Sequence, residues 1–159
     1  MKRILGRSGI EVSAVGMGCW AIGGPWTHHG SPAGWSEVDD AESVRAIHAA
    51  LDAGANFFDT AANYGCGYSE SVLGQALKGR RETAVIATKF GDRINEETKD
   101  ARPYSEPYET APVADHMRDD LEGSLQRLGT DYIDVYQLHV WGYDLEKSIE
   151  IRTVLKNSY

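Results

Sequence analysis

Apolar positions along the chain fall into short continuous runs that alternate with longer stretches of helical period. The short runs are Ala14–Gly18, Asn56–Asp59, Ala84–Lys89 and Ile133–His139. Between them, Val44, Ile47 and Leu51 predict a helix opening near Ser36. Val72, Leu73, Ala76 and Leu77 predict a second after Ser69 as N-cap. Val113, Met117, Leu121, Leu125 and Leu128 predict a third from about Pro112. Gly54, Gly79 and Gly129 supply the stops. A fourth helical run opens near Leu145 and is still running at Tyr159, which reads as truncation inside an element. Ahead of these units, residues 2–13 read as a hairpin turning at Gly6-Arg7-Ser8-Gly9. The polar stretch from Gly91 to Thr110 has no clear period and reads as a long loop.

Strands alternating with helices imply parallel pairing through helical crossovers. The near-continuous apolarity of the last three strands fits a sheet covered on both faces. The expected fold is α/β: a partial (β/α)8 barrel of about four β/α units behind an N-terminal β-hairpin, one unit over residues 1–159. A complete barrel needs about 250 residues, so half a barrel is expected. A small doubly wound domain is the plainer alternative. Half a barrel leaves its first and fourth strands with unpaired edges, so self-association is expected.

A net charge of −8 argues against a nucleic-acid partner or an anionic membrane surface. No apolar run approaches the roughly 18 residues of a membrane span, and no apolar stretch follows Met1-Lys2-Arg3 as in a secretory signal. Cys19 and Cys66 form no metal or CxxC pattern, which suits a reducing, cytoplasmic setting.

Three strand runs end in ionisable residues: Asp59, Lys89 and His139. In a parallel barrel the strand C-termini converge on the rim where barrel enzymes react. With Tyr64 they make a chemically connected set. Reduction of a carbonyl requires a proton at the nascent alkoxide, and tyrosine can give one. An unperturbed tyrosine titrates near about 10. A neighbouring ammonium favours the phenolate, and a carboxylate compensates a buried ammonium. A histidine can orient the substrate oxygen. Each residue also has a duller reading: Asp59 as a loop cap, Tyr64 as packing, Lys89 as a solvated strand end, His139 as a structural imidazole.

The stretches LGRSGIEVSAVGMGCW, NFFDTAANYGCGYSESVLGQAL, AVIATKFG and SLQRLGTDYIDVYQLH carry a family likeness. The chain resembles the N-terminal half of an aldo/keto reductase over nearly its whole length. The resemblance implies an oxidoreductase that reduces aldehydes or ketones to alcohols with a nicotinamide cofactor, NADP(H) in preference to NAD(H). It implies a catalytic tetrad of Asp59, Tyr64, Lys89 and His139. Tyr64 would be the general acid/base, Lys89 the cation behind it, Asp59 the partner of Lys89 and His139 the substrate orienter. Gly18, Cys19, Trp20 and Asp59 would meet the cofactor. Trp20, Tyr64, His139 and Trp141 would meet the substrate, a small carbonyl compound. The family's later strands, which hold most of the cofactor grip, have no counterpart in these 159 residues. The alternative is therefore a truncated non-catalytic fragment, or a regulatory or interaction module built on a half barrel.

Other motifs give less. Gly16-Met17-Gly18-Cys19-Trp20-Ala21 fits a dinucleotide fingerprint on paper, but Gly23-Gly24-Pro25 opposes the helix that fingerprint requires. No GxxxxGK[ST] occurs. His28-His29 have no third metal ligand nearby, and Lys78-Gly79-Arg80-Arg81 reads as a solvated helix end. Cys66 sits between two glycines with no sign of activation. A carboxylate hydrolase would need an acidic partner for Asp59, with Glu70 the candidate.

Overall fold

The structure is a computed structural model that describes residues 1–103 and 113–139. The chain opens with an antiparallel pair, β1 (Lys2–Ile4) and β2 (Glu11–Ser13), with Lys2 opposite Ser13. There follow β3 (Met17–Gly18), β4 (Thr27–His28), β5 (Ser31–Pro32), α1 (Asp40–Asp52), β6 (Phe57–Asp59) and α2 (Tyr68–Ala76). The remaining elements are β7 (Val85–Phe90), β8 (Asp92–Asn95), β9 (Asp100–Pro103), α3 (Val113–Leu128) and β10 (Val135–Leu138).

β3, β6, β7 and β10 form one parallel sheet in the order β10-β7-β6-β3. Its neighbours are consecutive β/α units, the arrangement of a barrel wall rather than of a doubly wound sheet. Registers of Gly18 with Asp59, Asp59 with Ala87 and Leu138 with Phe90 bring the strand C-termini to one edge. Phe58 and Ile86 from the sheet, Ile47 from α1, Leu73 from α2 and Leu128 from α3 share one buried core. Burial of each such side chain contributes about 1.5–3 kcal/mol. The hairpin is tied to this body by Asn56, whose Oδ1 accepts from Ser13 N–H at 2.6 Å and whose Nδ2 donates to Glu11 O at 3.1 Å.

Helix boundaries differ from the pattern reading where side chains compete for the cap. α1 starts at Asp40, not near Ser36, because Asp39 accepts from Glu42 N–H at 3.0 Å. α2 is preceded by Gly67 at φ 90, two residues before Ser69. Ser69 is fully buried inside the helix and its hydroxyl donates to Cys19 O at 2.7 Å, a tertiary use that sequence alone does not expose.

The larger correction concerns residues 91–103. In place of a structureless loop, β8 and β9 pair antiparallel and join β4 and β5 in a second sheet, ordered β5-β4-β9-β8. Its strands carry little apolar signal because only a few residues, among them Ile94 and Ala101, face a small core shared with Trp26, Tyr64 and Cys66. Asp100 fastens it, accepting from Thr27 Oγ1 at 2.6 Å and Gly30 N–H at 2.9 Å. The hydrogen bond from Thr27, with those from Gly30 and Arg102, holds the Asp100 carboxyl well below the usual carboxylate range. The expected fourth helix and Trp141 lie outside the described residues.

Candidate active site

Asp59 closes β6 because the apolar Phe57-Phe58 run ends there and the chain turns along the rim. Thr60 N–H donates to Ala87 O at 2.8 Å and Ala62 N–H to Lys89 O at 3.2 Å, so the segment after β6 stays zipped to β7. That pairing sets Lys89 beside Asp59. Lys89 Nζ donates to Asp59 Oδ1 at 2.6 Å and to Thr60 O at 2.8 Å, and lies 3.4 Å from the Tyr64 hydroxyl. The lysine side chain is only 13% exposed and the aspartate 37%, so the ammonium has its counter-charge inside the fold and the carboxylate faces the opening.

Tyr64 is held by a close approach of two rim loops. A Cβ on Gly65 would lie 2.0 Å from Gly23 O, and one on Gly23 would lie 2.9 Å from the Tyr64 carbonyl carbon. Only glycine permits this contact, and Gly65 also sits at φ 63. Neither residue stands out by pattern; the Gly-rich stretches on both loops are the only sequence signal. Lys89 Nζ also stands 4.9 Å from the Tyr64 ring centroid.

His139 follows β10, and its N–H donates to Phe90 O at 2.8 Å, which continues the β7 pairing by one residue. Its imidazole stands edge-on to the Tyr64 ring at 5.5 Å. Burial pushes the His139 pKa down, and the Lys89 ammonium pushes it the same way against the carboxylates of Asp92 and Asp59. The neutral ring is the favoured form, able to donate one N–H. Four residues separated by up to eighty positions thus meet at one edge of the sheet.

Gly18 is exposed at the end of β3, with nothing within 4 Å of where a Cβ would stand. Trp20 is 45% exposed and its ring lies 6.3 Å from Tyr64. Cys19 points the other way, fully buried, with its N–H donating to Asp59 O at 2.8 Å.

The competing motifs take structural roles. Residues 21–23 form a 3-10 turn, and a Cβ on Gly16 would lie 2.9 Å from Phe57 O, so Gly16 packs against β6 and no α-helix opens at this segment. Glu70 is fully buried, accepting from Thr88 Oγ1 at 2.5 Å and Arg127 Nε at 2.7 Å, and is no partner for Asp59. Arg81 is not solvated: it is 15% exposed, donates to Asp134 Oδ2 at 2.7 Å and Ala84 O at 2.8 Å, and lies over the Tyr132 ring. His28 Nε2 stands 3.6 Å from Asp92 Oδ1.

The family model for the aldo/keto reductase family matches residues 14–157. The chain is 38% identical to aldo-keto reductase YhdN of Bacillus subtilis over 155 residues, covering 96% of this chain and 41% of that protein. It is 37% identical to an NADH-specific methylglyoxal reductase of Escherichia coli, covering 87% of this chain and 42% of the relative. The holo form of aldo-keto reductase AKR11C1 from Bacillus halodurans superposes with a TM-score of 0.75 at 31% identity, over 99% of this chain and 46% of that structure. The chain thus spans about two fifths of the length of these curated relatives. Its described part is an α/β partial barrel of their architecture. With the family model spanning most of its residues, the chain belongs to the aldo/keto reductase family.

Proposed function

We propose that this chain carries the proton-transfer side of a nicotinamide-dependent carbonyl reductase, acting on a small aldehyde or ketone. The observation that carries the reading is the single contact chain Asp59–Lys89–Tyr64, closed at 2.6 and 3.4 Å. Lys89 stabilises negative charge on the Tyr64 oxygen, and Asp59 neutralises Lys89 so that the cation can stay in a mostly buried place. Tyr64 gives its phenolic proton to the carbonyl oxygen as the carbon is reduced, leaving an alcohol and a phenolate to be reprotonated. His139, neutral, donates a hydrogen bond to the same oxygen and orients it.

The residues fit the nicotinamide end of the cofactor. Gly18 leaves open backbone opposite Asp59, and the half-exposed Trp20 ring, two residues on, lies 6.3 Å from the Tyr64 ring. Gly18, the Cys19 backbone, Trp20 and Asp59 would hold it, and when bound it supplies the hydride. Family resemblance favours NADP(H); the NADH-specific relative makes NADH the necessary comparison. Trp20, Tyr64 and His139, with Trp141 beyond the described residues, would meet the substrate.

A second reading rests on the order of the parallel sheet, β10-β7-β6-β3 among the described residues. In it the half barrel is a non-catalytic module that self-associates through β3 and β10, the end strands of the parallel sheet among the described residues. Titration with NADPH, followed by tryptophan quenching with NADH alongside, separates the two. Saturable binding supports the reductase; a folded sample that binds neither dinucleotide and sediments as a dimer supports the module.

A further inference from the structure

We propose that Trp35 is a specificity-determining residue: with Trp20 it forms an aromatic wall that selects carbonyl substrates bearing an aryl group. The inference rests on the carbonyl-reductase reading of Tyr64 and adds the class of substrate. Rings run outward from the proton donor in an unbroken series. His139 meets Tyr64 at 5.5 Å and 84°, Tyr64 meets Trp20 at 6.3 Å and 34°, and Trp20 meets Trp35 at 5.5 Å and 74°. These are the separations at which aromatic rings attract beyond simple burial. Yet Trp20 is 45% exposed and Trp35 54% exposed. Two large rings, in contact with each other and beside the polar cluster, stand half in water.

The position of Trp35 is built into the fold. Its N–H donates to Gly24 O at 3.2 Å, and Ala33 and Gly34 N–H both donate to Trp26 O at 3.1 and 3.3 Å. A Cβ on Gly34 would lie 2.3 Å from Gly24 O and 2.4 Å from Trp26 Cδ1. The segment after β5 is therefore pressed onto the loop that carries Trp20, and Trp35 is delivered to it by backbone contacts. A substrate whose carbonyl oxygen reaches Tyr64 meets Trp20 with its nearest substituent. A methyl group ends there, whereas a ring extends far enough to lie against Trp35.

The test compares acetophenone with acetone on the full 159-residue chain, on Trp35→Ala and on Trp35→Phe. Binding is read by saturation-transfer NMR and turnover by NADPH oxidation. Trp35 is more than half exposed, so neither variant removes core packing. The expected result is that Trp35→Ala weakens acetophenone binding about tenfold, leaves acetone unchanged and raises KM without changing kcat, while Trp35→Phe keeps most of the preference. Equal acetophenone affinity in the unsubstituted chain and Trp35→Ala, or no binding of acetophenone at all, overturns the proposal. Trp35-dependent binding without ketone-dependent NADPH oxidation keeps the aryl subsite and sinks the reductase reading. Turnover of acetophenone that is indifferent to Trp35 does the reverse.

Discussion

Glu70 and Arg127, 57 residues apart in sequence, meet at 2.7 Å with the carboxylate fully buried and the guanidinium 15% exposed. The pair links α2 to α3, and Thr88 on β7 donates to the other carboxylate oxygen. Arg127 also reaches Glu96 at 3.1 Å, tying β8's following turn to the helices. Removing one partner strands a buried charge, which typically costs about 3–5 kcal/mol. Arg127→Met is expected to lower unfolding free energy by about 3 kcal/mol, read by urea denaturation. Glu70→Gln, which keeps an acceptor for Thr88, should cost less. A change within about 0.5 kcal/mol for Arg127→Met would show that the ion pair is not holding α3 in place.

Under the proposed function Lys89 and Asp59 act in series on Tyr64, so their substitutions should not be equal. Lys89→Met removes the cation facing the Tyr64 oxygen and is expected to lower kcat by about 10²-fold or more. Asp59→Asn leaves the cation and its bond to Thr60 O, and should lower kcat less. Equal KM values for the ketone in both variants would place the loss in the chemical step. A larger effect from Asp59→Asn than from Lys89→Met would reverse the proposed order of action.

His139 sets a pH limit. Its folded pKa is lowered, chiefly by burial. Above the ordinary histidine value, near 6.5, both folded and unfolded states are neutral and the full stability is present. As pH falls below that value the unfolded chain takes up a proton that the folded chain resists, so stability declines until the folded pKa is passed. An NMR titration of the imidazole is expected to give a midpoint below 6.5, and His139→Gln should flatten the acid limb of stability. A midpoint at or above 6.5 would mean that the ring is hydrated or that attraction to Asp92 outweighs repulsion from Lys89.

The thiols should be inert. Burial raises Cys19 to about 12 and Cys66 to about 11, so almost no thiolate exists near neutrality. Neither is expected to react with a chromogenic disulfide at pH 8 before denaturant is added. Prompt labelling of Cys66, which lies between Gly65 and Gly67, would reveal opening of the Tyr64 loop.

The parallel sheet was legible because three of its strand runs are dense in apolar residues and end in ionisable residues at fixed places. Asp59, Lys89 and His139 were legible for the same reason: an ionisable group closing an apolar run has few places to be. The second sheet was not, because Asp92-Arg93-Ile94-Asn95 and Asp100-Ala101-Arg102-Pro103 present almost no apolar period. Its order comes from side chains such as Asp100 and from packing on Tyr64 and Cys66, which only tertiary contacts reveal. Trp35 escaped for that reason too: nothing in its neighbours in sequence places it against Trp20. Arg81 read as part of a solvated helix end and Glu70 as a candidate acid for Asp59, and long-range partners at Asp134 and Arg127 make both internal.

The claim at the centre of this account is that Tyr64 is the proton donor of a carbonyl reduction. NADPH oxidation at saturating ketone, measured for the chain and for Tyr64→Phe with dinucleotide binding checked in both, tests it most directly. The account predicts ketone-dependent oxidation by the chain, and a loss of about 10³-fold or more in Tyr64→Phe with NADPH binding retained. Near-normal turnover by Tyr64→Phe, or no ketone-dependent oxidation by the folded chain, would contradict it.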